Sequence, residues 1–370
     1  MSFTLSDEQQ ELRAVVRDFL AENSSEEHVR GLMGAEPGYD PRVWRRLAGE
    51  LGLVGLVIPE EFGGGGFSWV ELGVVLEETG RALLCAPFLS AVGLAVPVLL
   101  RADREVGKEY LPGIATGETI ATLALTEETG SWDPGQVAAR AELDDDGWRV
   151  TGRKTFVPDG ALADLLLTVA RTPDGVGVFA VDGTAAGVAR RRLPTMDQTR
   201  PQAAIDLDGV AARPVLLEGP DAPLLRQALQ CAAIAVAAEQ VGAAEKALEL
   251  AVDYARTRTQ FGRPIGSFQA IKHMCADMLL QVESGRSAVY TALQAADEAS
   301  PELAAMASLA KAFCTDAFLD VARGCIQVHG GIGVTWEHPA HLYFKRATSS
   351  ARLLGDAARH RELFAAEVIA

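Results

Sequence analysis

Chemistry in this sequence has to come from its histidines, cysteines and carboxylates and from the arginines that stand near glycine turns. The histidines and cysteines are quickly placed. His338 and His341 lie three apart and could share one helix face, but no third ligand is spaced to close a metal site around them. Cys85, Cys231, Cys275, Cys314 and Cys325 form no CxxC pair. Several fall in apolar helical pattern, so buried free thiols are expected rather than disulfides or zinc ligands. No metal site is expected. What the carboxylates and arginines can do depends on the elements that carry them.

Those elements fall into three zones of different periodicity. From about Ser6 to Leu100 the apolar spacing is helical, with Leu5, Leu12, Val16, Phe19 and Leu20 on one stripe and Ser6 with Gln9 as a capping box. The Gly63–Gly66 run must break this zone into two helical segments, because each glycine costs about 1 kcal/mol inside a helix. From roughly Glu118 to Leu217 the apolar runs shorten to strand length between Asp, Gly and Pro turns, and Asp144-Asp145-Asp146-Gly147 reads as a hairpin turn. The runs are too close together for helical crossovers, so an antiparallel barrel or sandwich is expected. Long helical segments then return at 223–258, 267–297, 302–328 and near 338–368, which suggests a four-helix bundle. The expected domains are 1–115, 116–220 and 221–370. A net charge of −16 argues against a nucleic-acid partner. The start lacks the basic and apolar regions of a signal peptide, and no run is apolar for about 18 residues, so a cytoplasmic protein without a membrane span is expected.

Four motifs in order along the chain carry a resemblance. Trp44-Arg45-Arg46-Leu47-Ala48-Gly49-Glu50-Leu51-Gly52-Leu53 runs into Ile58-Pro59-Glu60-Glu61-Phe62-Gly63-Gly64. Leu125-Thr126-Glu127 follows the first strand-like run. Tyr254–Ile265, with Phe268 and Gln269 just beyond, ends a long helix, and Gln327-Val328-His329-Gly330-Gly331-Ile332-Gly333 is a glycine-rich turn. Together they resemble the acyl-CoA dehydrogenase family over essentially the whole chain. The resemblance implies that family's α+β fold: an N-terminal α-helical domain, a middle antiparallel β-barrel or sandwich domain, and a C-terminal four-helix bundle. It also implies FAD as cofactor, an acyl-CoA substrate, electron-transferring flavoprotein as acceptor, and each FAD shared between two subunits. The reaction is α,β-dehydrogenation of the thioester, which needs a carboxylate base and a flavin in fixed opposition across the substrate.

Measured against the family, the two halves of the flavin site differ. On the bundle side Arg258 is expected to pair with pyrophosphate oxygens, Phe261 to pack on the adenosine, Gln327 to add an amide donor, and Gly330-Gly331 to let backbone approach a phosphate. Gln260, Ile265, Phe268 and Val328 complete that half by resemblance. The competing reading of these residues is a solvated helix-end cation and a plain glycine cap. On the β side Leu125, Thr126 and Phe156 hold matching positions, but the pattern departs around them. Thr126-Glu127-Glu128-Thr129-Gly130-Ser131-Trp132-Asp133 places the indole of Trp132 where the family has a serine. Lys154-Thr155-Phe156-Val157-Pro158-Asp159 places Pro158 where a threonine faces the flavin, which removes two donors.

The family places its base at one of two positions. Spacing from Gly330 puts the first at Leu354, and spacing back from Phe261 puts the second at Ala232. Neither side chain accepts a proton. Asp356 is the nearest substitute, with N-capping of a helix over 357–364 as its competing role. Glu239 lies about two turns beyond the second position, and Glu337 resembles a structural glutamate of ordinary relatives. A general base is worth about 10²–10⁴ in rate. The expectation is therefore a subunit without its own base, supplying the adenosine and pyrophosphate half of a flavin site to a base-bearing second family member in a heterotetramer. Its substrate class would be an acyl-CoA thioester, such as one with a bulky or steroid side chain. The rivals are a homotetrameric dehydrogenase using Asp356, a non-redox structural or binding member of the family, and a flavin-dependent oxidase or monooxygenase.

Overall fold

The computed structural model describes residues 4–369. In chain order the helices α1 (Asp7–Asn23), α2 (Glu26–Met33), α3 (Pro41–Arg45), α4 (Trp69–Arg81), α5 (Val96–Leu99) and α6 (Arg104–Ala115) come first. Seven strands follow: β1 (Ala121–Ala124), β2 (Arg140–Asp144), β3 (Gly147–Pro158), β4 (Leu165–Thr172), β5 (Gly175–Asp182), β6 (Val188–Arg192) and β7 (Gln202–Glu218). The chain ends in α7 (Pro223–Thr257), the short strands β8 (Thr259–Gln260) and β9 (Arg263–Pro264), α8 (Gln269–Asp297), α9 (Leu303–His329), α10 (Ala340–Ser350) and α11 (Ala357–Ile369). No described helix is long and apolar enough to cross a membrane.

Two compact units divide these elements. One holds the chain up to Gly31, Trp69–Leu84, and everything from Ala233 on. Here α1 starts on the Ser6–Gln9 capping box and buries Val16, Phe19 and Leu20, an N-terminus worth about 1 kcal/mol. Helices α4 and α7 approach so closely that a Cβ on Gly80 would lie 2.0 Å from the Glu239 carbonyl, and one on Gly242 would lie 1.8 Å from that of Glu77. Only glycine fits at either crossing point. Every residue of α7 from Cys231 to Ala244 is buried, as expected for a helix covered on all sides. The final expected helix over 338–368 is two helices. The chain leaves α10 and turns through Leu354 and Gly355, whose φ values of +62° and +99° no helix accommodates, before α11 begins.

The second unit spans Leu32–Ser68 and Cys85–Ala232 and carries the seven-stranded sheet, in the order β1-β4-β2-β3-β7-β5 with β6 on β7. Asp144 pairs with Gly147 across the β2–β3 hairpin, as the Asp-Gly run required. The sheet departs from pure antiparallel pairing at β4: β1 runs parallel to it from Ala121↔Leu165 to Ala124↔Thr168, and β2 meets it in parallel at Arg140↔Arg171. A parallel neighbour needs a long return connection. Here the β2–β3 hairpin itself supplies that length, so no crossover helix is needed.

Candidate flavin site

The bundle-side motif begins where α7 stops. Phe261 and Gly262 have φ of +53° and +76°, the two left-handed residues of a tight hairpin turn. That turn pairs Thr259 with Pro264 and Gln260 with Arg263, and the Ile265 amide donates to the Arg258 carbonyl at 2.8 Å. Backbone hydrogen bonds thus close the loop, and its apex is free to present a side chain. Phe261 is 92% exposed there, an apolar group in an uncommon backbone conformation, with only the edge-on Phe268 ring 6.1 Å away. Phe268 and Ile265 are half-buried, and the Arg263 guanidinium lies 4.2 Å over the Phe268 ring. Arg258 is exposed and has no side-chain partner among the described residues. Gln260 turns its amide back onto the Thr259 carbonyl at 2.9 Å.

The glycine turn caps α9. Gly330 takes φ +63° and ψ −139°, a region open essentially to glycine only. A Cβ on Gly330 or Gly331 would meet nothing within 4 Å, so both face open space. Gln327 is exposed with no side-chain partner among the described residues, whereas Val328 is buried and can offer a ligand only its backbone. One ring ties the turn to the hairpin helix: His329 lies 4.4 Å from Tyr254, the residue whose carbonyl receives the Arg258 amide. His338 and His341 do not share a ligand-bearing face. His338 precedes α10 and accepts the Ala340 amide on Nδ1, while His341 packs edge-on against Trp336. All five cysteines are free thiols, four buried and Cys275 half-buried.

The β-side motif is latched inward. Thr126 and Thr155 exchange hydrogen bonds: the Thr126 hydroxyl donates to the Thr155 carbonyl at 2.5 Å, and the Thr155 amide donates to the Thr126 carbonyl at 2.9 Å. Lys154, fully buried, donates to the Leu125 carbonyl at 3.2 Å and the Glu127 carboxylate at 2.7 Å. Glu127 also accepts the amides of Ala138 and Ala139. Burial pushes the Lys154 ammonium down to about 8, against the pull of Glu127. Burial raises Glu127 too, but its hydrogen bonds from Lys154 and the Ala139 amide outweigh that and hold it below the usual carboxylate range. A β-bulge between Lys154 and Val157 then throws Phe156 outward at φ +56°. Pro158 offers no donor, and its carbonyl accepts the Thr122 hydroxyl at 2.7 Å. Asp159, at φ +52°, accepts the Ser90 hydroxyl at 2.6 Å, and Trp132 is half-buried. Sequence reasoning passed over the Lys154–Glu127 latch, although a lysine at an inward strand position was its signal.

At the two positions where a base was expected the chain is hydrocarbon. Ala232 is buried in α7. Leu354 is buried in a rigid turn, its carbonyl accepting His360 Nε2 at 2.9 Å and the next carbonyl, of Gly355, accepting Lys311 Nζ at 3.3 Å. Asp356 caps α11 through the Arg359 amide at 3.0 Å and pairs with Arg352 at 3.2 Å. Glu239 is buried against the equally buried Arg346, 2.6 Å away, and Glu337 is exposed.

A free guanidinium, a free amide and a glycine turn facing open space fit the phosphates of a dinucleotide. The β side fits less well, since the Thr126 hydroxyl is committed and Pro158 cannot donate. The chain belongs to the acyl-CoA dehydrogenase family, whose members use FAD as oxidoreductases: the models of the family's N-terminal, middle and C-terminal domains match residues 6–118, 122–210 and 223–369. Among its relatives, acyl-CoA dehydrogenase IpdE2 of Mycolicibacterium smegmatis is 37% identical over 98% of this chain and 100% of its own length. IpdE2 of Mycobacterium tuberculosis is 36% identical over 95% and 94%. Among solved structures, one chain of the ChsE4–ChsE5 complex from Mycobacterium tuberculosis superposes with a TM-score of 0.90 at 31% identity, covering 100% of this chain and 99% of that one. A chain of the Tcur3481–Tcur3483 steroid ACAD superposes with a TM-score of 0.90 at 32% identity over 99% of both.

Proposed function

We propose that this chain is the base-less subunit of a heterotetrameric, FAD-dependent acyl-CoA dehydrogenase acting on a bulky acyl-CoA thioester, with steroid side chains as the favoured class. When bound, FAD accepts the hydride taken from the β-carbon. This chain's part would be to hold the cofactor's outer end: Arg258 and Gln327 would neutralise and hydrogen-bond the pyrophosphate, Gly330 and Gly331 would allow it close backbone approach, and Phe261 would pack on the adenosine. The partner subunit brings the carboxylate that removes the α-proton, and electron-transferring flavoprotein takes the electrons onward in the cytoplasm. On the family's pattern the chain divides into an N-terminal helical domain 1–115, a middle β domain 116–220 and a C-terminal bundle 221–370, with 1–115 contributing to both compact units.

The observation that carries this reading is the pairing of an open phosphate cradle with aliphatic side chains at both base positions. Two further points support it. Two of the similar structures have names that join two different chains, and one of those is named as a steroid ACAD. Both carboxylate oxygens of Asp356 are engaged within the chain, which favours capping over proton transfer.

The test is proton exchange at the substrate's α-carbon. Purified alone with FAD and an acyl-CoA in deuterated buffer, the chain is expected to exchange no α-proton, and the complex with a base-bearing partner to exchange it readily. Exchange by the chain alone would refute the reading.

A further inference from the structure

His329 closes α9 immediately before Gly330, and its ring is buried. It packs in a triangular cluster with two other rings, Tyr254 at 4.4 Å and His338 at 4.1 Å, which lie edge-on to each other at 6.4 Å. Tyr254 stands one helical turn before Arg258 and receives its amide. The turn beyond His329 doubles back so tightly that a Cβ on Gly333 would come within 3.0 Å of the His329 Cβ. One imidazole therefore sits between the helix that carries the Arg258–Phe261 hairpin and the glycine turn.

The protonation of that ring is fixed by its partners. The Cys325 carbonyl, 2.7 Å from Nδ1, can only accept, so Nδ1 carries the proton. Nε2 is buried with no hydrogen-bond partner. A lone pair is tolerable there, but a second proton would place a charged donor where nothing accepts it. The groups that face this ring offer no relief. They are Cys325 on its own helix, Tyr254 on α7, and His338, with His341 and Lys345 beyond it on α10. Glu26 and Arg30 of α2 act on His338 with opposite signs, and burial lowers both His329 and His338.

We infer that His329 is a positioning residue that joins the hairpin and the glycine turn into a single clasp, and that the clasp closes only while this imidazole is neutral. The inference rests on the proposed flavin role for its consequence, but its geometry is the chain's own. The sign follows from linkage: the ring gains a proton more readily once it is released, so the closed clasp is fully present above about pH 6.5 and is lost below it. At pH 5.5 the opening equilibrium of the clasp rises by up to about tenfold relative to pH 7.5, and FAD affinity falls to the extent that the open form becomes populated.

The experiment compares wild type with His329→Phe, which keeps a ring and cannot titrate, and His329→Gln, a smaller donor that covers the case in which phenylalanine does not fold. Two readouts are taken at pH 7.5 and 5.5. One is the protection factor of the amides of residues 327–333 in the full chain, corrected for intrinsic exchange. The other is the FAD dissociation constant of the complex with the partner subunit. Wild type is expected to lose up to about tenfold in protection at the lower pH, with FAD binding weakened in the same direction, and a variant less than twofold in either. His338 is kept in all three proteins, so its titration cannot produce a difference between them. Equal pH profiles in wild type and variants would overturn the inference. If FAD binds at neither pH the flavin reading falls alone, and the amide profile still decides the role of His329.

Discussion

Removing one guanidinium separates binding from stability in this protein. Arg258 is exposed and makes no side-chain contact among the described residues, so Arg258→Ala costs the fold little, within about 0.5 kcal/mol as for other unengaged surface positions. The proposed role in holding pyrophosphate predicts a different outcome for the cofactor. A hydrogen bond to a charged group contributes about 1.5–3 kcal/mol, and each 1.4 kcal/mol is about tenfold in affinity. FAD should therefore bind about 10- to 150-fold more weakly to the complex containing Arg258→Ala, with the melting temperature of the chain unchanged. Arg258→Lys keeps the charge without the planar fork and should lose an intermediate amount. The assay is quenching of flavin fluorescence on titration into apo-complex at low and high salt, where wild type should weaken more with salt than the alanine variant. An unchanged FAD affinity, or a loss of affinity matched by a loss of stability, would refute the reasoning.

Three further outcomes follow from named contacts. Asp356→Ala removes the cap of α11 and should lower unfolding free energy by about 1 kcal/mol while leaving α-proton exchange by the complex within about twofold; a loss of about 100-fold or more would make Asp356 a base. Lys154→Met strands the Glu127 carboxylate beside its two amides and should destabilise the chain by about 3–5 kcal/mol in urea unfolding, and a loss below about 1 kcal/mol would show the latch to be slack. His360 is held down to about 4 by burial and then by the nearby Lys311. A folded value below the unfolded 6.5 means stability present above pH 6.5 and lost as pH falls toward 4, by about 3 kcal/mol in all. His360→Asn should lack that part of the loss, and parallel pH curves would count against it.

The sequence was informative where local chemistry decides structure. The Ser6–Gln9 box, the Asp-Gly hairpin and the starts of α7, α8 and α9 are set by caps, turns and long apolar period, and each stands within a few residues of its expected place. What it hid were the features that depend on partners far along the chain. The parallel run of β1 beside β4 is a matter of register over some forty residues. The break between α10 and α11 lies in Leu354, an ordinary helix former held at positive φ by contacts from His360 and Lys311. At the candidate flavin site the exposed residues Arg258, Phe261 and Gln327 were legible as types. The inward commitment of the Thr126 hydroxyl and the three-ring cluster around His329 were not, because both are made by residues more than twenty-five apart or by a turn that doubles back.

An unequal division of labour between two unlike chains makes flavin stoichiometry decisive. FAD and polypeptide should be quantified in the complex co-purified with a base-bearing family member and in this chain purified alone. One FAD for each pair of unlike chains, with little in the lone chain, is the expected result. A full complement of FAD in the homomeric protein, together with turnover of an acyl-CoA, would contradict it.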